Sequence, residues 1–109
     1  MAKAGVYNNS ILAGILEKLA SDQYTFTYTD EYYNDRNNNA ISLSFPKTQQ
    51  QYKATALFPF FYGLLAEGIN KDIQCRLLKI DENDDFTRLI KTAGADTIGA
   101  ITVKEITTA

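Results

Sequence analysis

Tyr24, Phe26 and Tyr28 alternate with Thr25, Thr27 and Thr29. In an extended chain successive side chains point to opposite faces, so this run predicts a strand with three aromatic rings on one side. Two strands are expected before it. Val6-Tyr7 and Ile11 to Leu16 flank Asn8-Asn9-Ser10, and Asn tolerates the positive φ that a tight hairpin turn demands. Gly14 should weaken or bend the second of these strands. After the aromatic strand, Asn34 to Asn39 predicts a polar loop, because short amide and carboxylate side chains compete for backbone hydrogen bonds. Ile41, Leu43 and Phe45 then alternate with Ser42 and Ser44 and predict a fourth strand, closed by Pro46, which has no N–H to donate. Thr48 to Gln51 is taken as a connector.

The period changes in the second half. Pro59 suits the first turn of a helix, where its missing N–H costs nothing, and Gly68 suits the end of that helix. Ile69, Ile73, Leu77 and Ile80 recur at helical spacing, and Phe86, Leu89, Ile90 and Ala93 do so again. Gly94 is expected to end the last helix. Thr97 to Val103 has the β-branched density of a final strand, with Gly99 allowing a close approach. The pattern predicts an α+β fold: a small curved antiparallel sheet of about five strands, packed with about three helices, whose last strand returns to the sheet. With 109 residues, no internal repeat and no long linker, residues 1–109 are expected to form a single domain.

Composition narrows the function. A net charge of -2 without a basic run argues against unspecific binding to nucleic acid, which draws on clustered Lys and Arg. One cysteine, Cys75, permits no internal disulfide and no thiolate cluster for zinc. The first residues lack the apolar stretch of a signal peptide or membrane span, so a cytoplasmic location is expected. The chain contains no histidine, the commonest general base and metal ligand. Cys75 therefore has no imidazole to activate it and is expected to be structural. No glycine-rich phosphate loop is present. Asp81, Asn83 and Asp85 match the first, third and fifth places of a calcium-binding EF-hand loop, but its glycine falls on Phe86 and its bidentate glutamate on Thr92. Capping explains this run better: Asp81 or Asn83 caps a helix whose first turn carries Asp84 and Asp85. These residues give no cofactor, no metal and no enzyme.

The stretch "LFPFFYGLLAEG", from Leu57 to Gly68, holds three of the six phenylalanines. If Pro59 sets the first helical turn, Phe60, Phe61, Leu64 and Leu65 gather in one arc that faces the core. Tyr62 lies beyond that arc, beside Gly63, Ala66 and Glu67. Small residues next to an aromatic ring leave it accessible, and interface anchors are rich in tyrosine. The opposing reading has Tyr62 covering the sheet edge with its hydroxyl in water.

Four stretches, "AGVYNNSILAGIL", "ISLSFP", "LFPFFYGLLAEG" and "DDFTRLIKTAGADTIGAITV", resemble in order and spacing the first subdomain of HipA-type kinase toxins. The resemblance runs from Val6 to Val103. Ala66 departs from it, standing where the family usually has proline. The chain ends at Ala109, where that family continues into a serine/threonine kinase core, and the lysine, aspartate and magnesium ligands of a kinase have no counterpart here. The resemblance therefore implies a stand-alone, HipS-like component of a split toxin–antitoxin system, one that docks on a HipA- or HipT-like kinase core and restrains it. A HipB-like helix-turn-helix protein would contact DNA in the same complex. The alternative is a subunit that completes the kinase fold or mediates dimerisation without inhibition. Phe58, Tyr62, Gly63, Ala66 and Glu67 are the expected contacts.

Overall fold

The computed structural model describes residues 2–93 and 101–106. Three consecutive strands form its centre: β1 (Ala2–Asn8), β2 (Ile11–Ala20) and β3 (Gln23–Tyr28). The first hairpin turns through Asn9 and Ser10, with φ of 51° and 71°. Positive φ at both central residues is what a two-residue turn needs to match the twist of the flanking strands. Val6 faces Gly14 while Tyr7 faces Leu12, so Ala13 is an extra residue in a bulge of β2. Gly14 has a packing reason beside it. A Cβ there would lie 2.7 Å from the Phe26 ring and 2.6 Å from the Thr27 carbonyl oxygen.

The aromatic face of β3 is the floor of the core, with Tyr24, Phe26 and Tyr28 all buried. The chain then makes a short helix, α1 (Asp30–Asn34), that periodicity does not predict. Thr29 caps it, its hydroxyl accepting from the Tyr32 N–H, and Asp30 and Glu31 sit in the first turn. Tyr32 stacks on Tyr28 with ring centroids 5.7 Å apart.

The strand expected over 41–45 does not form. Ile41 and Phe45 are buried but Leu43 is fully exposed, so the alternating residues do not share a face. The segment folds as a turn, in which the Phe45 N–H reaches the Ser42 carbonyl and the Ser44 N–H reaches the Ser42 hydroxyl. The Tyr28 hydroxyl serves its buried backbone, accepting from the Ile41 N–H and donating to the Phe45 carbonyl. The fourth strand is instead β4 (Gln51–Ala54), within and beyond the presumed connector. Tyr52 and Ala54 are half-buried, whereas Gln51 and Lys53 face solvent, and a lysine on an edge strand discourages pairing with other chains.

The helix expected from Pro59 to Gly68 is one turn long, α2 (Pro59–Tyr62). Gly68, with φ of 62°, opens the next helix, α3 (Gly68–Leu78), rather than closing the previous one. α3 ends at Lys79 in the left-handed region, and the Ile80 N–H closes on the Cys75 carbonyl. α4 (Asp85–Thr92) is capped by Asp84, not by Asp81 or Asn83. Both Asp84 carboxylate oxygens are taken by Thr87, through its N–H at 3.1 Å and its hydroxyl at 2.7 Å. Partial burial pushes the Asp84 carboxyl up, but these hydrogen bonds outweigh it and hold it below the usual range.

The last strand, β5 (Ile101–Glu105), pairs with β1, giving an open five-stranded antiparallel sheet of order β4-β3-β2-β1-β5. The α+β class and the returning strand are thus as expected, with four helices among the described residues. Gly94 and residues 97–100 of the expected strand, including Gly99, lie outside the described residues. Helices and the 41–46 turn cover the sheet around a knot of phenylalanines, in which the Phe45 ring lies 4.9 to 6.0 Å from Phe26, Phe58, Phe60 and Phe61.

Candidate docking surface

The stretch from Leu57 to Gly68 sorts into two sets. Leu57, Phe58, Phe61 and Leu65 are buried, with Phe60 and Leu64 packed at the edge of the core. Phe58, expected at a partner contact, is therefore a core residue: its ring meets Phe45 at 5.2 Å and Phe61 at 6.2 Å. Tyr62 is 43% exposed, Gly63 and Glu67 face solvent, and Ala66 is half-buried. A Cβ on Gly63 would meet only carbonyls of its own turn, at 3.4 and 3.5 Å, so the residue there is glycine for no packing reason.

The path of residues 63–67 is set from α4. Arg88 is 2% exposed, and its Nη2 donates to the Ala66 carbonyl at 2.7 Å while Nη1 lies 3.3 Å from the Asp85 carboxylate. A buried guanidinium needs such partners, since desolvating an unpaired charge is costly. Arg88 therefore ties the segment carrying Tyr62, Gly63, Ala66 and Glu67 to α4 and sets where α3 begins.

On α3, Ile69, Ile73 and Leu77 are 73%, 46% and 75% exposed, while Ile80, the fourth residue at that helical spacing, is buried. Cys75 is the one buried residue of the helix, with Lys71 and Gln74 half-buried beside it. At about 100° per residue, Lys71, Gln74 and Cys75 form the side toward the body, Ile69, Ile73 and Leu77 lie on the opposite side, and Leu78 is itself 46% exposed. Spacing revealed the stripe but not its direction, because a helical period is the same whether the apolar face meets its own core or a partner.

Leu43, fully exposed, lies in the 41–46 turn, and Ile11, Leu12 and Leu19 of β2 are also exposed. A groove of about 380 Å³ lies at the far end of the sheet, lined by Leu19, Tyr24 and Ala54 with Asp22 and Lys53. No helix among the described residues is long and apolar enough to cross a membrane.

Comparison with known proteins gives this geometry a relationship. The family model described as the HipA N-terminal domain matches residues 4–104. A solved structure described as the N-terminal domain of HipA toxin superposes with a TM-score of 0.73 at 25% identity, covering 100% of this chain and 96% of its own. An uncharacterized protein of Haemophilus influenzae is 33% identical over 82 residues, which are 75% of this chain and 73% of that one. A Sinorhizobium fredii protein named "Putative kinase Y4mE" is 30% identical over 76 residues, 70% of this chain but 18% of its own length. By sequence over nearly its whole length, and by fold, the chain belongs to the HipA N-terminal domain family.

Proposed function

We propose that the chain is a non-catalytic binding module of a split HipA-type toxin–antitoxin system, which docks on a HipA- or HipT-like serine/threonine kinase in the cytoplasm and restrains it. The observation that carries this reading is how the domain is distributed among its relatives. In the kinase-named S. fredii protein the matched segment is a small part of a chain several times longer, whereas the H. influenzae relative is spanned for most of its length. The domain thus occurs both joined to a large body and in a short chain. In the short form, contacts made within one chain in the long form become contacts between two. A HipB-like helix-turn-helix protein would supply the DNA contact in the same complex.

Co-expression with a HipA-type kinase core that lacks its own first subdomain tests the reading. The two chains are expected to co-purify, and growth is expected to recover; unchanged toxicity without co-purification would refute it. Tyr62→Ala removes an exposed ring and is expected to weaken binding while leaving the fold intact. The joined arrangement in the longer relative also supports a second reading, in which the domain completes the kinase. A kinase core that is inactive alone and gains activity when this chain is added would favour that reading over restraint.

A further inference from the structure

We infer that the Ile69–Ile73–Leu77 stripe of α3 is the surface on which the body of a HipA-type kinase packs, an inference that rests on the docking reading above. The three side chains stand one helical turn apart and form a ridge ~12 Å long. The helix buries Cys75 and half-buries Lys71 and Gln74 while leaving two isoleucines and two leucines exposed, Ile69, Ile73 and Leu77 on one side and Leu78 apart from them. A helix folding for its own stability would take the opposite rotation, since apolar burial is the main favourable term. Arg88 donates to the Ala66 carbonyl just before the helix, and Ile80 just after it is buried.

Three occupants could cover such a ridge. A lipid surface is poorly matched, because amphipathic membrane helices carry Lys and Arg along the polar border. Here the border of the stripe carries Asp72 and Arg76, one of each sign, in a chain of net charge -2. A second copy of this chain would meet only the same short ridge. The kinase body is favoured by the longer relative, where the domain is permanently beside a much larger remainder of the chain. An apolar ridge with a border of mixed charge matches an interface with an apolar centre and polar rim.

The test is calorimetric titration of the kinase core with the full chain, with Ile69→Asp/Ile73→Asp, and with Leu43→Asp as a control on a different exposed leucine. The double variant is expected to lose at least about 30-fold in affinity, the loss typical of a central anchor. Its far-ultraviolet circular dichroism should be unchanged, and Leu43→Asp should bind within about threefold of the parent. Hydrogen exchange in the unmodified chain provides a readout that no folding defect can confuse: amides of residues 69–78 should slow when the kinase core is added. A parent chain that does not bind refutes the docking reading itself. A parent that binds, with α3 unprotected or the folded double variant undiminished, refutes the α3 assignment alone. So does a self-association or anionic-vesicle binding that the double variant abolishes while kinase affinity is intact.

Discussion

The Tyr28 hydroxyl bridges two backbone groups that flank the exposed Leu43, accepting from the Ile41 N–H at 3.2 Å and donating to the Phe45 carbonyl. Both bonds are buried, so Tyr28→Phe strands a donor and an acceptor away from water and is expected to cost about 1–3 kcal/mol. Urea unfolding would measure this. Burial pushes the Tyr28 hydroxyl up to about 12 from its ordinary 10.0, against the smaller opposing effect of the Ile41 N–H. The folded protein therefore holds this proton more tightly than the unfolded chain does. The stabilisation is complete below pH 10.0 and fades as pH rises toward about 12. The stability gap between the parent and Tyr28→Phe should accordingly be flat below pH 10.0 and shrink as pH rises toward about 12. No pattern in the sequence identifies this bridge, because Tyr28 serves the alternation of β3 equally well without it.

At the scale of elements, strands that find partners along the chain were legible and segments that depend on distant groups were not. The first hairpin and β3 follow from turn chemistry and alternation, and both form as expected. Residues 41–45 alternate just as clearly, yet their backbone is served by a tyrosine hydroxyl and by the turn's own groups, so no ladder is needed. Gly68 suits either end of a helix by composition, and its place at the start of α3 depends on where Arg88 holds Ala66. Arg88→Met keeps much of the buried bulk but leaves the Ala66 carbonyl without that donor. A loss of about 1–3 kcal/mol is expected, with faster amide exchange over residues 63–68 as the specific mark of a loosened segment. Within the sheet, Gly14→Ala places a methyl 2.6 Å from a carbonyl oxygen and 2.7 Å from the Phe26 ring. Neither the backbone nor a ring packed on three others can yield cheaply, so the variant should lose about 1–3 kcal/mol, visible as a lower denaturant midpoint.

For the whole molecule, the core and the candidate surface differ in what they contribute to stability. The phenylalanine knot around Phe45 covers the sheet from within, so the free chain does not need the α3 ridge in order to fold. The sequence signals for the two are alike, because Ile69, Ile73 and Leu77 recur at the same helical spacing as Phe86, Leu89 and Ala93. What separates them is the third dimension, where α4 buries its stripe and α3 turns its stripe outward. The free energy of covering that ridge is then available only to binding, and binding to the folded form alone raises apparent stability by mass action. Free kinase core at 100 times its dissociation constant should stabilise this chain by ~2.7 kcal/mol, which for a domain of this size raises the melting temperature by roughly 10 °C or more. Ile69→Asp alters a side chain that is 73% exposed, so the variant alone should melt within a degree or two of the parent and yet gain little from added kinase core. If it melted far below the parent by itself, the stripe would belong to the domain's own stability, and the division between core and docking surface would have to be redrawn.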